Sequence, residues 1–423
     1  MRILCFRLVV ALVLCLATAA PALAEGFGLY EYSARGLALS GATVARKPDP
    51  SAVAWNPALL TRLPGTHIMG GVTVIRPSGT MDVEQSDGSY YRARLRESLW
   101  LVPHFYFTHQ INDNWAFGIG EFSRFGLGFE YEHNWPGRFN MYEVALTSMS
   151  INPSLAWKAT DKLSIAAGFE LLYVNLDLKK RAEPAGPGLM EVDANIQDAT
   201  DWGVGINLGV HYQFTDQWAA GLTYRSPVRV HAKGDMQYSL VSNNLGPMGE
   251  AIFNNNFRNG TAHSTVVLPE SVTGAVAFTP FPELSLEVAA TWTRWSRFRH
   301  LNIHVPEPLP TSETNKHWSD AWRIALGVEY SITSWLDLRL GYTYDQSPMT
   351  EFYADYLVPT HDRDIYTLGV GFKYNAWTLD IGYSYIAARQ RAYKVNAETH
   401  MLKSKTHRGN QTQLLSLSIG YTF

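Results

Sequence analysis

The sequence has little charge, almost no cysteine and no apolar run long enough to cross a membrane as a helix. Charged residues make up 17% of the 423-residue chain, whereas soluble domains usually carry about 25%. Its mean hydropathy is −0.13, whereas membrane helices would push that index well above zero. These shortages exclude a disordered protein, a coiled coil and a helical multi-span transporter.

Aromatic residues and glycine are abundant instead. Aromatic side chains make up 13% of the chain, with 22 Tyr, 19 Phe and 13 Trp, and there are 33 Gly. This composition favours a β-rich fold, because aromatic residues are enriched in strands. The formal net charge is only −3, which gives no reason to expect nucleic-acid binding.

The first 24 residues have the pattern of a secretory signal peptide. Arg2 and Arg7 form a positive start, residues 8–16 are apolar, and Ala22-Leu23-Ala24 is a small-x-small cleavage signal. We therefore expect the mature chain to begin at Glu25.

Both cysteines lie inside the predicted signal peptide. Cys15 follows Leu14 rather than a small residue, so a lipid anchor is not expected, and Cys5 is also removed. The mature chain then has no disulfide and no thiolate metal site.

Nearly all of the mature chain alternates between apolar and small or polar residues. At the C-terminus, Leu415, Leu417, Ile419, Tyr421 and Phe423 occupy every second position. A period of two indicates a β-strand with one apolar face. The same alternation recurs at 324–330, 336–344, 366–374 and 379–385.

This alternation predicts an all-β transmembrane antiparallel β-barrel. Tyr and Phe cluster at strand ends, as the aromatic girdles of outer-membrane barrels do. The opposite face carries charge at Asp337, Arg339 and Lys373, which suits a polar lumen. A secreted β-sandwich is the alternative, although its apolar face would need a second sheet. The terminal Phe423 suits recognition by the barrel-assembly machinery.

Turn signals give a strand count for the predicted barrel, residues 66–423. Six short connections read as periplasmic turns: 111–114, 159–162, 214–217, 280–283, 331–334 and 374–376. Seven longer ones would be extracellular: 78–91, 131–141, 181–200, 239–261, 304–316, 346–362 and 390–410. Seven hairpins make 14 strands, the first beginning near Thr66.

Residues 25–65 do not share the strand pattern. They are rich in small residues, and they also carry apolar side chains such as Phe27, Val53 and Trp55. Because such side chains are usually buried, we expect this segment to form a plug, or hatch, inside the barrel.

Several ordered motifs resemble those of the FadL/TodX-type outer-membrane transporters of long-chain fatty acids and hydrophobic compounds. Trp55-Asn56-Pro57-Ala58-Leu59 is similar to the NPA motif in the hatch of that family. The further similar segments, in order, are Thr223–Ser226, Leu268–Glu270, Thr293–Phe298, Asp320–Gly327, Tyr344–Pro348 and His361–Asp364.

The resemblance implies a plugged 14-stranded barrel that takes up a long-chain fatty acid or another hydrophobic small molecule and releases it sideways into the membrane. Burial of each methylene contributes about 0.8 kcal/mol, so an apolar pocket favours such a ligand. The alternatives are uptake of neutral aromatic or aliphatic hydrocarbons, a general porin, and a structural or adhesion barrel.

The resemblance also implies ligand-binding residues. Lys180, with Lys179 beside it, and Lys316 match the basic residues that anchor a ligand carboxylate, and Phe27 would line the pocket. The alternative for both lysines is a solvated position at the outer rim.

Two further features carry over from the family. Gly126 matches the position where the third strand kinks to form a lateral opening, and Gly128 lies beside it; ordinary lumen-facing packing is the alternative. Asn56, Pro57 and Ala58 would form a turn that shapes the hatch.

The loops depart from the family pattern. Segment 181–200 is short and rich in Pro and Gly, so an outer low-affinity groove would depend mainly on segment 239–261. Its apolar spacing suits a short amphipathic helix. The groove residues would be Leu245, Met248, Ile252, Phe253 and Phe257.

Two charged pairs, Asp337/Arg339 and Asp320/Arg323, are expected to hold barrel and hatch together. The chain has no G-x-S-x-G motif, and we expect no enzyme activity, cofactor or metal site. We expect a monomer in the outer membrane of a Gram-negative cell, in contact with membrane lipid and lipopolysaccharide and without a nucleic-acid partner.

Overall fold

The computed structural model describes residues 26–85, 87–358, 362–396 and 400–423. The predicted signal peptide, residues 1–24, and the predicted first mature residue Glu25 lie outside these ranges. Within them, no helix is both long enough and apolar enough to cross a membrane.

Seventeen strand segments form one antiparallel sheet that closes into a barrel. They are β1 (Thr66–Ser78), β4 (Trp100–Gln110), β5 (Trp115–Phe122), β6 (Leu127–Glu130), β7 (Glu143–Lys158), β8 (Leu163–Ala182), β9 (Met190–Gln213), β10 (Trp218–Arg225), β11 (Val228–Asn243), β12 (Gly260–Leu268), β13 (Ser271–Phe281), β14 (Leu284–Thr293), β17 (Ala321–Thr333), β18 (Leu336–Asp345), β19 (Arg363–Tyr374), β20 (Trp377–Ala388) and β23 (Gln411–Thr422).

The other strands are short and belong to the longer connections. They are β2 (Thr80–Glu84), β3 (Tyr90–Arg94), β15 (His300–Ile303), β16 (Ser312–Asn315), β21 (Ala392–Tyr393) and β22 (Ser404–Thr406). β2, β3, β21 and β22 form a separate four-stranded sheet, and β15 pairs with β16.

The predicted 14-stranded barrel is confirmed. The third, seventh and eighth strands are each interrupted once, as β5/β6, β10/β11 and β12/β13, so the seventeen segments make 14 strands. β1 begins at Thr66, as predicted, and pairs with both β4 and β23, which closes the sheet. All six predicted short turns coincide with connections between consecutive barrel strands; residues 111–114, for example, separate β4 from β5. Three of them begin too early, because β13, β17 and β19 continue to Phe281, Thr333 and Tyr374.

Four predicted extracellular loops have the wrong bounds. The connections expected at 78–91 and 304–316 extend over 79–99 and 294–320, and the one expected at 239–261 covers 244–259. The connection expected at 181–200 covers only 183–189, because β8 continues to Ala182 and β9 begins at Met190. Met190, Val192, Ala194 and Ile196 are buried at every second position, so alternation extends the strands into this segment. The resulting hairpin has strands of 20 and 24 residues.

The apolar face of the barrel points outward, as the alternation predicted. On β23, Leu415 and Leu417 are 54% and 40% exposed, whereas Ser416 and Ser418 are buried. Near the short turns, aromatic pairs such as Trp115–Trp157 and Trp218–Phe278 stack on this outer face. These rings form the girdle expected at a membrane interface.

The helices are short. They are α1 (Ala34–Ala38), α2 (Ala52–Trp55), α3 (Pro247–Asn256) and three 3-10 turns at Pro57–Arg62, Pro136–Phe139 and Trp295–Arg297. α1, α2 and the first 3-10 turn belong to the N-terminal segment 26–65, which lies inside the barrel and contacts most of its strands. α3 lies within 239–261, where a short helix was predicted.

Glycines on the inner face let the hatch backbone approach the barrel wall. A Cβ at Gly382 would lie 2.5 Å from the carbonyl oxygen of Ala34, and one at Gly341 would lie 2.9 Å from the carbonyl carbon of Leu39. Glycine has no Cβ and so permits such contact. The glycines that alternate with apolar residues in these strands therefore form the surface on which the hatch packs.

Candidate functional site

A buried carboxylate on the barrel wall binds the middle of the hatch. Glu287 of β14 accepts hydrogen bonds from the backbone N–H groups of Val44, Ala45 and Arg46, at 2.6, 3.1 and 2.8 Å. It also lies 3.5 Å from the Arg46 guanidinium. Because these groups are out of contact with water, the loss of either charge would leave the other uncompensated.

A second network joins the start of the hatch to β17 and β18. Arg35 of α1 makes two hydrogen bonds of 2.8 Å to Glu329. Glu329 also pairs with Arg339 at 2.7 Å, and Arg339 lies 3.5 Å from Asp337. The predicted Asp337/Arg339 pair thus forms part of a larger network that includes the hatch.

The predicted Asp320/Arg323 pair does not form. Asp320 accepts a hydrogen bond from the Ser296 N–H at 3.0 Å. The Arg323 guanidinium lies 4.3 Å from the centre of the Tyr30 ring. A separation of three residues places two side chains on opposite faces of a strand, which explains the error.

The NPA segment connects the two halves of the hatch with the wall. The Asn56 side chain donates to the carbonyls of Val44 and Val210, at 2.8 and 3.1 Å, and accepts from the Ala58 N–H at 3.1 Å. Pro57 occupies the first position of the 3-10 turn, where its missing N–H costs no hydrogen bond. The motif shapes the hatch through these contacts.

The third strand bends inward between β5 and β6. There Leu29 N–H donates to the Arg124 carbonyl at 2.8 Å, and Gly126 N–H donates to the Phe27 carbonyl at 3.0 Å. The Ser148 hydroxyl donates to the Phe125 carbonyl at 2.6 Å and accepts from the Phe125 N–H at 3.0 Å. The first residues of the hatch and one serine thus replace the missing strand partners.

This bend leaves a gap between β4 and β6 in the hydrogen-bonded wall of the barrel, and we call this gap the window. β4 pairs with β5 only from Phe105 onward, and β6 pairs only with β7, so none of the described residues pairs with residues 100–104 on that side. At its outer end the window is closed by a hydrogen bond of 2.8 Å from Arg96 N–H to the Glu130 carbonyl. A Cβ at Gly128 would lie 2.2 Å from the Trp100 ring, so Trp100 packs across the window.

A cavity of about 510 Å³, here called cavity 1, extends from the lumen to the window. Its inner lining includes Ile365 and Leu414, and its lining at the window includes Leu101 and Pro103. Leu101 is 68% exposed on the outer face. The cavity therefore reaches both sides of the barrel wall.

A second, smaller cavity lies in the extracellular half of the barrel. This cavity 2 has a volume of about 100 Å³, and its lining is apolar except at His263 and Ser264. Val174, Leu176 and Leu178 line it from successive inward positions of β8. Such a lining suits an alkyl chain or an aromatic ring.

Phe27 lines both cavities. Its ring lies 4.7 Å from that of Trp295 and about equally far, at 5.9 to 6.0 Å, from those of Phe125, Phe298 and Trp318. Ring pairs at these distances attract each other. This aromatic cluster forms the partition between the two cavities.

Lys180 is the next inward position of β8 after Leu178, which lines cavity 2. Its ammonium has no hydrogen-bond or ion-pair partner among the described residues. In the facing loop, burial and the charge of Lys180 lower the pKa of His400. Lys179 has the opposite orientation and pairs with Glu143 at 2.8 Å.

Lys316 is fully buried rather than solvated at a rim. Its ammonium forms an ion pair with Asp355, which is also buried. Leu357 and Val358, which follow Asp355 in the same loop, line cavity 2. Lys316 therefore holds a loop that covers this cavity, and its charge is already balanced.

The predicted groove residues occupy different environments around α3. Phe257 is buried and stacks on Phe253 at 5.8 Å, whereas Met248 is 66% exposed. Leu245, Ile252 and Phe253 pack against the core from partly buried positions. The helix thus presents one apolar face to the barrel and leaves Met248 at the surface.

One group of side chains has the donor types of a metal site. Ligand atoms of Glu130, His133 and Glu143 lie within 4.8 Å of one another. Both carboxylates already form ion pairs, Glu130 with Arg96 and Glu143 with Lys179, so a metal ion would have to displace two cations.

The closed barrel, its internal hatch and its apolar cavities define an outer-membrane transport protein. Residues 13–423 match the family model for "Outer membrane protein transport protein (OMPP1/FadL/TodX)". The chain belongs to this family, as its motifs predicted, and family membership places it in the outer membrane and among transport proteins rather than enzymes.

Named relatives and solved structures are similar over most of the chain. A "Long-chain fatty acid transport protein" of Escherichia coli is 27% identical and covers 85% of this chain and 86% of its own length. "Outer membrane protein P1" of Haemophilus influenzae is 26% identical, with 96% and 94% covered. A FadL homologue from Pseudomonas aeruginosa has the same fold, with a TM-score of 0.84, 20% identity and 94% and 100% covered. The P. putida toluene transporter TodX has a TM-score of 0.72, 18% identity and 93% and 99% covered.

Several residues of the site were not identified from the sequence. Trp100, Ser148 and Glu287 act through contacts with distant parts of the chain, and no local motif marks them. Trp100 is the one of these residues that the sequence could have marked. It stands at the start of β4, away from the short turns where the other aromatic residues of the girdle lie.

Proposed function

We propose that this protein takes up long-chain fatty acids or similar hydrophobic compounds through a plugged barrel and releases them sideways into the membrane. The observation that carries the proposal is the window between β4 and β6, into which cavity 1 opens. The names of the relatives, a fatty acid transporter and a toluene transporter, support the substrate class.

The proposed route begins outside the cell. A ligand would be captured on the apolar surface around α3, formed by Leu245, Met248, Ile252, Phe253 and Phe257. It would enter cavity 2, pass the aromatic partition at Phe27, and leave through cavity 1 and the window. The kink at Gly126 and Gly128 would keep the window open.

We propose Lys180 as the primary anchor for a ligand carboxylate. Its ammonium has no ion-pair partner in the part of the chain that the structure describes, and it lies directly beyond an apolar cavity. A charge-assisted hydrogen bond to a carboxylate contributes about 1.5–3 kcal/mol. Lys316 would take part only if the ligand displaced Asp355. A neutral hydrocarbon needs neither lysine, and this is the alternative substrate class.

A cysteine at the window tests the route. The predicted mature chain has no cysteine, so Leu101→Cys gives a single reactive thiol. We expect bulky thiol reagents to reduce oleate uptake by cells, more with larger reagents, and reduction to restore it, because the adduct would fill the window. Leu368→Cys, 52% exposed on the outer face of β19, is the matched control. Unchanged uptake with the largest adduct at position 101 would contradict lateral release.

A charge substitution tests the ligand class. We expect Lys180→Met to weaken oleate binding about tenfold while toluene binding stays unchanged, because only oleate carries a carboxylate. Equal oleate affinity in wild type and variant, measured by calorimetry, would refute the anchor. Large steady conductance in planar bilayers would instead favour a general porin.

The state and assembly of the protein are also part of the proposal. We propose a monomer without cofactor that is inserted by the barrel-assembly machinery through its terminal Phe423. This residue is 72% exposed at the end of β23, where a partner can reach it.

A further inference from the structure

The outer wall of the seventh and eighth strands changes from apolar to basic partway up. Leu222 of β10 and Val276 of β13 are 51% and 48% exposed and face the lipid. Beyond the interruptions of these strands, Arg229, His231 and Lys233 occupy the exposed positions of β11. Val228 and Val230 between them are buried, so alternation places these three side chains on the outer wall.

Two more histidines continue this surface across the neighbouring elements. The His263 ring of β12 lies 5.3 Å from that of His231 and stacks on that of His304 at 4.6 Å. Thr265 and Thr311 contact Nδ1 of His231 and His304, at 2.6 and 2.9 Å. A hydroxyl that donates to Nδ1 leaves Nε2–H as a donor. The five residues form what we call the basic patch.

The register between β11 and β9 gives the position of the basic patch relative to the membrane. Lys233 pairs with Thr200 of β9, two residues beyond Trp202. Trp202 is 50% exposed, and its ring lies 5.1 Å from that of Tyr173 on β8. Exposed aromatic rings on a barrel wall mark the membrane interface, so the patch lies at the level of the outer-leaflet head groups.

The two permanent cations of the patch are unpaired within the described ranges. Among the described residues, neither Arg229 nor Lys233 has a carboxylate within ion-pair distance. Elsewhere at the extracellular end, Lys179 pairs with Glu143 and Arg389 with Asp364. Two acidic residues lie close to the patch along the strands. Asp201 of β9 accepts a hydrogen bond from the His231 backbone N–H. Asp235 is the next outward-facing residue of β11 after Lys233 and lies farther from the membrane.

We propose that the basic patch binds the phosphorylated head group of an outer-leaflet lipid, as a specific site on the barrel wall. A phosphate accepts charge-assisted hydrogen bonds from arginine and lysine. The membrane holds such a phosphate at this height, next to the acyl chains that cover Leu222 and Val276. Arg229 and Lys233 lie on the outer face, so their contribution does not depend on which ligand the barrel transports.

Binding of defined lipids to the purified barrel tests the site. Wild-type protein in nanodiscs is titrated with fluorescent bis-phosphorylated lipid A and with its dephosphorylated form. We expect the phosphorylated lipid to bind and Arg229→Gln/Lys233→Gln to weaken it about 30-fold. His231→Leu/His263→Leu/His304→Leu should weaken it about threefold, through the loss of neutral donors. Unchanged affinity in the triple variant would remove the histidines from the site.

Lys394→Gln/Lys403→Gln, which removes the same charge from the extracellular loops, is the matched control and should bind as wild type. Unchanged heat-modifiable electrophoretic mobility would show that each variant is folded. The proposal is overturned if the dephosphorylated lipid binds equally well, if the control loses as much affinity as the double variant, or if millimolar inorganic phosphate displaces the lipid completely.

Discussion

The part of the lumen that holds the hatch and the part that holds cavity 2 differ in polarity. Around the hatch, buried charges and backbone groups pair with one another, as in the contacts of Glu287 with residues 44–46. Around cavity 2, the lining is almost entirely apolar. The comparison teaches that this barrel uses polar networks where the hatch is held in place and has an apolar surface where the proposed ligand would pass.

The largest expected effect is a loss of stability in the polar contacts that hold the hatch. Glu287→Ala leaves the Arg46 guanidinium and three N–H groups without their acceptor, at a cost of about 3–5 kcal/mol. Amide exchange at residues 44–46 should accelerate by two to three orders of magnitude, since about 1.4 kcal/mol is a factor of ten. Glu313→Ala, on an exposed loop, is the control and should change nothing. Exchange at the wild-type rate would show that other contacts hold the hatch.

The next largest expected effect is a loss of ligand affinity when the apolar lining of cavity 2 is changed. Leu176→Asn places an amide in cavity 2 without a partner, and an unpaired polar group of this kind costs about 1–3 kcal/mol. Oleate affinity, measured by calorimetry, should fall about tenfold to a hundredfold. Leu99→Asn, at a loop position that is 67% exposed, should leave it unchanged. A variant that keeps wild-type affinity would place the binding site elsewhere.

Two hydrogen bonds between neutral groups should matter less. The Thr367 hydroxyl donates to the Ala38 carbonyl at 2.9 Å and lies 2.9 Å from the Ser40 hydroxyl, and each bond of this kind contributes about 0.5–1.5 kcal/mol. Thr367→Val should therefore accelerate exchange at residues 38–42 about tenfold. Thr261→Val on the outer wall tests for a general effect of the substitution and should not alter these amides.

The smallest effect is expected at an exposed pair beside the proposed anchor. Lys179→Met removes an ion pair that is partly solvated, and such pairs contribute about 0–1 kcal/mol. Oleate affinity should stay within twofold of wild type, because this side chain points away from the lumen. A loss as large as that expected for Lys180→Met would mean that binding responds to net charge rather than to position.

The barrel could be predicted from the sequence because its signals are local. Alternation and short turns each occupy a few residues, and together they gave the strand number, the first strand and all six tight turns. The loop at 181–200 was misjudged because Pro and Gly at 184–188 hid the alternation that resumes at Met190.

The site could be predicted only in part. Glu287 lies 241 to 243 positions from the amides it binds, and Lys316 lies 39 positions from Asp355. Partners so far apart are chosen by strand register and by the path of the hatch, which local patterns do not report. The family motifs pointed to Phe27 and the NPA segment but carried no information on the partner of Lys316.

The long β8–β9 hairpin has a consequence for how a ligand reaches the protein. A strand of 24 residues is roughly 80 Å long and, at a tilt of about 45°, rises well beyond a hydrocarbon core of about 30 Å. In an outer membrane the hairpin would therefore project beyond the lipid into the hydrated sugar layer. On the proposed route, its apolar lining, which reaches Leu178, would place the entrance to cavity 2 above the lipid surface, where a dissolved hydrophobic molecule arrives.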